Sequence, residues 1–522
     1  MIGIAAALVL TTASASSAIQ VTVDTNRATQ PSFDTRFAGV GWETDAYLYQ
    51  AGLSQKTEFR QAARNLAPAW LRVGGISADW VNYTGTRPQR PLSWWPTTDS
   101  EFSMQTMMDL FDFCNSTGFD LVLDLSELYG RNCSHGAGNT TCTGAWDTSN
   151  LKGLLAWLAA HPGAASRGRL RAVELGNELT RGLHITMPQQ IEDYRALMGA
   201  IGDAWRADPA VAPPVSGPST DICDGTSLDF MRSVEPLAAF NYHSYPARGC
   251  PSAQNYYGQV LSPSWLRRGV WQRDQHANAS LCAAQWRSLG LGQRGTALRV
   301  TETNSCFAIQ GASMSSFANT FWYVASLGQM AQAGVSMHSR WNMASGPFAL
   351  LLPSTDKGAV ITTAADYWVA ALHKRTVGRG PVLNASVAGD DDTPVLAYAH
   401  CSGSAGQSGA VYAPGAVTLM LVNTNNASEE TVSFSGVSSA TPRHQWILTA
   451  PDGPDGPMYA GNATILNDQA SPLALGADGS LPGLAPVVVA HSASMIMPPL
   501  SVAFVVLQGA TASACMQDAG RG

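Results

Sequence analysis

The sequence has little charge of either sign and very little lysine. Lysine and arginine number 31 among 522 residues, aspartate and glutamate number 38, and lysine occurs only at Lys56, Lys152, Lys357 and Lys374. The formal net charge of -7 gives no general attraction to nucleic acid or to an anionic membrane. We therefore predict no nucleic-acid partner, while a peripheral association with a membrane or a cell wall is left open.

Beyond its first residues, the sequence also lacks an apolar run of the roughly 18 residues needed to cross a bilayer. The apolar stretch near the C-terminus, 485–507, is interrupted by His491, Pro498 and Pro499, and it predicts two strands. No membrane-spanning helix is therefore predicted in this part of the chain.

The first residues have the pattern of a secretory signal peptide. An apolar stretch from Ile4 to Leu10 is followed by Ala13-Ser14-Ala15, which fits a small-x-small cleavage site. The segment before the apolar stretch has no lysine or arginine, so a buried N-terminal strand or helix remains the alternative. We predict a signal peptide over residues 1–18.

Eight Asn-x-Ser/Thr sequons support an extracellular location. They are more than a cytosolic chain of this length needs to explain, and they indicate a secreted eukaryotic glycoprotein. A lysosome or a vacuole is the alternative location. The sequons begin at Asn82, Asn115, Asn132, Asn139, Asn278, Asn384, Asn426 and Asn462.

The nine cysteines lack a Cys-x-x-Cys pair, and the ten histidines do not fall at zinc-ligand spacing. We therefore predict no metal and no cofactor. In an oxidising compartment, nine cysteines predict disulfides with one thiol left over. Cys133 and Cys142 are close enough in sequence to close a small loop, and Cys401 with Cys515 is a pairing that ties the two ends of a C-terminal domain. Spacing alone leaves the pairing open.

Short β-type runs alternate with stretches of helical periodicity, which is typical of parallel βα units. Eight such runs predict a (β/α)8 barrel. They are Phe37 to Trp42, Trp70 to Gly74, Asp120 to Leu125, Arg171 to Gly176, Ala212 to Gly217, Ala239 to His243, Leu298 to Glu302 and Val335 to Trp341.

After Arg379 the sequence pattern changes to short alternating strands separated by Gly, Ser, Asn and Pro, which is typical of a β-sandwich. The fold class is therefore predicted as α/β, with a TIM barrel followed by a C-terminal β-sandwich that also takes in an N-terminal strand. The predicted boundaries are a signal peptide at 1–18, a strand at 19–34, the barrel at 35–375 and the sandwich at 376–522.

Two glutamates end β-type runs, at the fourth and seventh positions of the predicted barrel. Glu178 closes Val-Glu-Leu-Gly-Asn-Glu and Glu302 closes Leu-Arg-Val-Thr-Glu. Carboxylates at the C-terminal ends of barrel strands share one bowl, where barrel active sites form. One carboxyl that protonates a leaving oxygen and one carboxylate that attacks the anomeric carbon make a retaining glycosidase. Glu178 suits the acid/base role, because Asn177 beside it can bind a sugar hydroxyl, and Glu302 suits the nucleophile.

Other polar residues at strand ends are candidates for supporting roles. Tyr245 follows the sixth strand, so its hydroxyl is expected to hold the nucleophile. His243 is either its neighbour in the site or a satisfied core histidine. Arg72 and Arg340 end the second and eighth strands, where an arginine orients a carboxylate or forms a structural ion pair. Gly75 permits close backbone approach to a ligand, although a Gly-Gly pair is also an ordinary turn signal.

The order and spacing of these motifs resemble the heparanase-like β-glucuronidase family over residues 20–515. The matching stretches are residues 21–29, 71–75, 174–178, 242–245, 302–305, 366–368 and the surroundings of Cys401 and Cys515. The resemblance implies a retaining barrel and β-sandwich enzyme with Glu178 as acid/base, Glu302 as nucleophile and a Cys401–Cys515 disulfide.

The resemblance also implies a subsite for glucuronic acid. Asp24, Asn177, Tyr245 and Tyr367 fall on family positions that line it, with Tyr367 nearest the substrate carboxylate. The basic cluster that grips sulfated chains in the heparan sulfate-cleaving member is missing, since Asp221 to Asp224 stands in its place. We therefore expect a carbohydrate substrate with glucuronosyl linkages, though not heparan sulfate, and a monomeric enzyme. The alternatives are a glycosidase of other sugar specificity and a catalytically silent glycan-binding protein.

Overall fold

The computed structural model describes most of the chain. The predicted signal peptide, up to residue 17, and the sequon at Asn278 lie outside the described residues. Those residues are 18–30, 34–50, 52–83, 102–136, 139–180, 185–220, 223–247, 253–272, 279–306, 312–352, 361–403, 412–437, 441–451 and 461–516.

The described residues form strands β1 to β22 and helices α1 to α12. In chain order the strands are β1 (Ile19–Gln30), β2 (Ala38–Glu43), β3 (Ala69–Gly74), β4 (Phe119–Leu125), β5 (Asn132–Gly136), β6 (Asn139–Thr143), β7 (Leu170–Leu175), β8 (Ser216–Thr220), β9 (Ala239–Ser244), β10 (Ala297–Thr303), β11 (Met337–Arg340), β12 (Leu351–Leu352), β13 (Thr362–Thr363), β14 (Val377–Val387), β15 (Val395–Ser402), β16 (Val417–Asn423), β17 (Glu430–Ser435), β18 (Arg443–Thr449), β19 (Ile465–Leu466), β20 (Val487–Val489), β21 (Met495–Met497) and β22 (Ser501–Leu507). The helices are α1 (Thr44–Tyr49), α2 (Thr57–Arg64), α3 (Met104–Thr117), α4 (Ser149–Ala160), α5 (Pro162–Arg167), α6 (Met187–Ala204), α7 (Gly225–Ser233), α8 (Ala253–Val260), α9 (Pro263–Gln272), α10 (Ala279–Ser288), α11 (Asn319–Gln332) and α12 (Ala365–Thr376).

Eight parallel strands form a barrel, in the order β7-β4-β3-β2-β11-β10-β9-β8. A parallel bridge between Val173 and Val215 joins the two end strands. In chain order β7 is therefore the fourth barrel strand and β10 the seventh, as the sequence predicted. The fifth strand begins at Ser216 rather than Ala212. Pro213 and Pro214 lack the N–H that a central strand donates, which accounts for the difference.

Local sequence signals explain how helices alternate with these strands. The β3 and β4 strands are buried along their whole length, as expected of parallel strands covered on both faces. Helix α3 is capped at its N-terminus by Ser103, whose hydroxyl accepts the N–H of Thr106. It is capped at its C-terminus by Gly118, which has φ +83°. Helix α6 begins with a capping box between Thr186 and Gln189.

A second sheet of ten strands follows the barrel, in the order β19-β18-β22-β16-β15-β14-β1-β17-β21, with β20 also paired to β18. Its pairs are antiparallel except for β1 with β17. The predicted fold class is thereby confirmed: a TIM barrel carries a β-sandwich that includes the N-terminal strand. None of the described helices is long and apolar enough to span a membrane.

Packing ties the two parts together, and the disulfides cross-link residues within each part. One apolar cluster runs from the barrel helices into the second sheet, where it includes Met420 and Phe504. A separate cluster fills the interior of the second sheet, including Val21 from the N-terminal strand and Leu419. Disulfides join Cys133 to Cys142, Cys223 to Cys282 and Cys401 to Cys515, whereas Cys114 carries a free, buried thiol.

Candidate active site

The structure brings Glu178 and Glu302 together at one end of the barrel. Glu302 lies near the end of β10, and Glu178 follows the end of β7. Since parallel strands end on the same face, both carboxylates reach the C-terminal bowl. Their facing oxygens lie within 4.8 Å of each other. The side chains are 14% and 7% exposed, so both are enclosed by protein while remaining accessible from the bowl.

Two donors hold the Glu302 carboxylate. The Tyr245 hydroxyl donates to Oε1 at 2.6 Å, and Nη1 of Arg72 donates to Oε2 at 3.0 Å. His243 Nδ1 lies 3.9 Å from Oε2. Both Tyr245 and Arg72 therefore stand where the sequence analysis expected a nucleophile to be held.

Glu178 has different neighbours. Its Oε1 lies 2.7 Å from Nδ1 of His243, and the other ring nitrogen, Nε2, lies 3.1 Å from the Ser219 hydroxyl. The backbone N–H of Glu178 donates to the Ser219 carbonyl at 3.0 Å. Glu178 has φ +52° and Gly176 has φ +72°, so the turn after β7 is left-handed at a non-glycine residue. This turn aims the Glu178 side chain toward Glu302.

Arg72 is the centre of a buried ionic network beneath the bowl. Besides contacting Glu302, its Nε donates to Glu174 at 2.7 Å and its Nη2 to Asp124 at 3.0 Å. Nη2 also donates to the Asn177 side-chain oxygen at 2.9 Å and to the Ser219 hydroxyl at 2.8 Å. Burial lowers the pKa of Arg72, but the carboxylates around it outweigh burial and raise the pKa overall. Arg72 is therefore a permanent cation that fixes both the Glu302 carboxylate and the Asn177 side chain.

Opposing influences act on the pKa of Glu302. Burial raises it most, and the nearby Glu178 adds to the rise. His243, Arg72 and the Tyr245 hydroxyl all lower it, and the net result is a pKa above the ordinary value. The donors around Glu302 therefore limit, without abolishing, the tendency of burial to protonate this carboxylate.

Several residues of the bowl were not identified from the sequence. Glu43, at the end of β2, accepts the backbone N–H of Ser77 at 3.0 Å and lies against Gly75, which has φ +93°. Burial raises the pKa of Glu43 well above its ordinary value, and Asp45 and Glu302 add to the rise. Trp341, just past β11, places its ring 5.9 Å from the Arg72 guanidinium. Glu43 ends a buried apolar run, as Glu302 does, and that signal could have found it.

The structure places two of the residues predicted to bind substrate away from the two glutamates. Asp24 is exposed on β1, where it pairs with Asn384 in the second sheet. Tyr367 is buried in α12, and its hydroxyl donates to the carbonyl of Ala62 at 2.8 Å, on helix α2. The short motifs around these residues resemble the family in sequence, but β1 pairs within the second sheet and the Tyr367 hydroxyl is bound to helix α2.

Arg340 forms a structural ion pair. Its Nε donates to Asp366 at 2.6 Å, and its Nη1 donates to the carbonyl of Phe348 at 2.7 Å. The side chain is completely buried, and among the described residues it contacts neither glutamate. Of the two roles open from the sequence, the structure selects the ion pair, which anchors α12 to the end of β11.

Glu178, His243 and Glu302 form the group of described residues that could hold a metal ion. The separations between their facing atoms are uneven, at 2.7 Å, at 3.9 Å and within 4.8 Å. A tetrahedral zinc ion needs about 3.3 Å between each pair of ligand atoms, given its bond lengths of roughly 2.0 to 2.1 Å. The short Glu178–His243 contact fits a shared proton better than a metal ion, and the absence of a metal cofactor stays a prediction.

Known proteins match both the sequence and the fold. The family described as Glycosyl hydrolase family 79, N-terminal domain, matches residues 29–328. Heparanase-like protein 1 of Arabidopsis thaliana is 26% identical over 501 residues, which cover 87% of this chain and 84% of that protein. Baicalin-beta-D-glucuronidase of Scutellaria baicalensis is 24% identical over 486 residues, covering 88% and 85%. The GH51 arabinofuranosidase from Xanthomonas axonopodis pv. citri superimposes with a TM-score of 0.63 at 16% identity, over 94% of this chain and 100% of its own.

Proposed function

Because this chain belongs to glycosyl hydrolase family 79 and is a glycoside hydrolase, we propose that it cleaves β-glucuronosyl linkages with retention of configuration. The observation that carries the proposal is the gap between Glu178 and Glu302, whose facing oxygens lie within 4.8 Å. Retaining glycosidases separate their two carboxyl groups by about 5 to 5.5 Å, whereas inverting enzymes leave roughly 6.5 to 9.5 Å for a water molecule. The relative named baicalin-beta-D-glucuronidase supports glucuronide as the sugar.

In the first step, an oxygen of ionised Glu302 attacks the anomeric carbon while the bond to the leaving oxygen breaks. Protonated Glu178 gives its proton to that oxygen, so the leaving group departs neutral. The product is a glycosyl ester on Glu302. Tyr245 and Arg72 hold the attacking carboxylate at 2.6 Å and 3.0 Å, which fixes its direction before the sugar arrives.

In the second step, Glu178 acts as a base. It removes a proton from water, the water oxygen attacks the anomeric carbon, and the ester bond to Glu302 breaks. Two inversions give net retention. His243, 2.7 Å from Glu178, keeps the carboxyl oriented through both steps, and Ser219 fixes the far side of the imidazole ring.

The charge balance of the bowl favours a second candidate, a glycosidase with the same mechanism and a neutral sugar. Each of the three guanidinium nitrogens of Arg72 already donates a hydrogen bond to the protein. Glu43, beside Glu302, is a further carboxyl group and not a cation, and burial raises its pKa well above the ordinary value. A glucuronate carboxylate would therefore need neutral donors, whereas a neutral sugar would not. Hydrolysis of a panel of aryl glycosides that differ only in the sugar separates the two candidates.

We also propose that the protein is a secreted monomeric glycoprotein. The support is the signal-like sequence at 1–18 and the eight sequons. Expression in eukaryotic cells, followed by N-terminal sequencing and sedimentation of the protein from the medium, tests this. An uncleaved intracellular protein or a stable oligomer would contradict it.

The central experiment uses an aryl β-glucuronide with wild-type protein and the Glu178→Gln and Glu302→Gln variants. We expect turnover by wild type and turnover near background for Glu302→Gln. The β anomer of the released sugar should appear first in the proton NMR spectrum. An activated fluoro-glucuronide should add its glycosyl group to Glu302, as peptide mass spectrometry can detect.

Glu192→Gln is a suitable control, because Glu192 is exposed on α6 and paired with Arg195. It should leave turnover unchanged. Equal turnover by all variants would exclude Glu178 and Glu302 as catalysts. The absence of turnover on every aryl glycoside would favour the silent glycan-binding protein, and first release of the α anomer would refute retention.

A further inference from the structure

Asp79 is a buried acid close to the candidate active site that the two-step mechanism does not use. It lies in the single helical turn Ala78–Trp80, which follows β3. The side chain is fully buried. A carboxyl group at such a position needs partners, because burying an unsatisfied polar group is costly.

The partners of the Asp79 carboxyl are backbone amides at the ends of two neighbouring barrel strands. The N–H of Asn177 lies 3.3 Å from Oδ1 and 3.2 Å from Oδ2. The backbone N–H of Glu127 is a further hydrogen-bond donor to the same carboxyl. Asp79 thus binds the residue that directly precedes Glu178.

The main chain of Asp79 holds the end of β4 in the same way. Its carbonyl accepts the backbone N–H of Leu128 at 3.1 Å and of Tyr129 at 3.0 Å. It also accepts the Ser126 hydroxyl at 2.7 Å. The turn at Asp79 therefore connects the loops that follow the second, third and fourth barrel strands.

The segment held by Asp79 adopts a conformation that needs support. Glu178 has φ +52°, a region that non-glycine residues rarely occupy, and Gly176 has φ +72°. Such conformations persist where surrounding contacts determine them. The contacts on the backbone of this segment include Asp79 at Asn177 and Ser219 at Glu178.

We propose that Asp79 is a positioning residue that holds the Asn177 amide so that the Glu178 carboxyl faces the leaving oxygen. The proposal rests on the proposed function, in which Glu178 is the acid/base. Asp79 itself contacts no substrate. Its loss should therefore weaken proton transfer by Glu178 while leaving Glu302, which is held by Tyr245 and Arg72, in place.

This consequence can be measured, because acid catalysis matters only for poor leaving groups. A phenyl glucuronide needs its oxygen protonated as it leaves, whereas a dinitrophenyl glucuronide releases a stable anion. General acid catalysis contributes about 100-fold to 10,000-fold. For Asp79→Leu we expect kcat/KM to fall at least about 10-fold on phenyl glucuronide, and less than about twofold on dinitrophenyl glucuronide.

Asp79→Leu keeps the branched shape of aspartate but removes both acceptor oxygens. Asp79→Asn keeps one acceptor oxygen for the Asn177 amide, so it should restore most of the activity on phenyl glucuronide. Asp79→Ala is the reserve variant if the leucine variant does not fold. Asp120→Asn is the matched control: Asp120 is equally buried, at the opposite end of the barrel, and is paired with Arg36 and Arg169.

Glu178→Gln, measured in parallel, distinguishes failure of the proposed function from failure of the positioning role of Asp79. If it shows no dependence on the leaving group, the proposed function fails. If Glu178→Gln does depend on the leaving group, but Asp79→Leu loses activity equally on both substrates, the positioning role is overturned. Failure of both Asp79→Leu and Asp79→Ala to fold would also overturn it, because Asp79 would then serve general stability. Asp120→Asn should lower the melting temperature without changing the ratio of the two substrates.

Discussion

Replacing Tyr245 with phenylalanine tests the electrostatic account of the nucleophile. The change removes one oxygen, the donor that lies 2.6 Å from Oε1 of Glu302. This hydrogen bond lowers the pKa of Glu302 against the rise caused by burial. Without it the ionised form is less stable, so the pKa of Glu302 should rise further. Since attack requires the ionised form, the acid limb of kcat/KM should move to higher pH.

The size of the shift follows from the contact. A hydrogen bond to a charged group is worth about 1.5 to 3 kcal/mol, and a shift of one pKa unit corresponds to about 1.4 kcal/mol. Glu302 is only 7% exposed, so solvent replaces little of the lost contact. We therefore expect the acid limb to move upward by about one to two pH units. Near the pH optimum the fall in kcat/KM should be smaller than on the acid side.

The assay is a profile of kcat/KM against pH with an aryl β-glucuronide, because this ratio reports groups of the free enzyme. Tyr242→Phe is a matched control. Tyr242 is buried on β9, the strand that directly precedes Tyr245, and its hydroxyl has no hydrogen-bond partner among the described residues. An acid limb that stays in place in Tyr245→Phe, or that moves as far in Tyr242→Phe, would refute the reasoning.

Two further changes, and one property of the unmodified protein, have expected outcomes. Arg72→Met leaves buried carboxylates without their cation, which should cost about 3 to 5 kcal/mol of unfolding free energy in a denaturant titration. The pKa of Asp124, already raised by burial, should rise again when Arg72 is lost, so this variant should lose stability as pH rises from acidic to neutral; equal losses at both pH values would contradict this. Cys401→Ala with Cys515→Ala opens a 114-residue separation and should lower stability by about 4 kcal/mol; an unchanged melting temperature would show that the disulfide does not constrain the unfolded chain. Asn82 should carry no glycan by peptide mass spectrometry, because its amide is buried and donates to a tyrosine hydroxyl; a glycan there would require a different local structure.

The two glutamates and the barrel could be predicted because their signals are local and repeated. A parallel barrel needs a strand, a helix and a strand again, and each strand end reaches the same face. An acid at the end of the fourth or seventh apolar run is therefore placed in three dimensions once the strands are counted. The fifth strand shows the limit of this approach, since its start at Ser216 depends on two prolines and not on the apolar pattern.

Asp24 and Glu43 show where the sequence analysis failed. Both follow an apolar run near the N-terminus, and the resemblance selected Asp24. Along the first residues of β1, buried and exposed positions alternate, whereas β2 is buried from Ala38 to Trp42. Alternation of buried and exposed residues is typical of a sheet with one solvent-exposed face, and a continuous apolar run is typical of a barrel strand. The period of the pattern therefore distinguishes the two acids, although the short motif around Asp24 does not.

The sequence analysis misplaced Tyr367 and missed Asp79 for a different reason, because their positions depend on contacts with residues distant in sequence. The Tyr367 hydroxyl meets helix α2 at the Ala62 carbonyl, 305 positions earlier in the chain. Asp79 meets Asn177, 98 positions later. Neither contact leaves a periodic pattern, since a single buried hydrogen bond constrains only one position. Residues of this kind become visible only when the packing of the helices around the barrel is known.

The different roles of the two glutamates follow from their neighbours, since the side chains are chemically identical. Glu302 contacts Arg72, a permanent cation, and the Tyr245 hydroxyl, so its ionised form is stabilised in each state of the site. Glu178 instead contacts the His243 imidazole, whose Nδ1 lies 2.7 Å from its Oε1. One carboxyl held by a guanidinium and a phenol, and one held by an imidazole, lie in different electrostatic environments, as retaining hydrolysis requires of its nucleophile and its acid. Exchanging the roles of the glutamates would therefore require moving Arg72 and not the glutamates themselves.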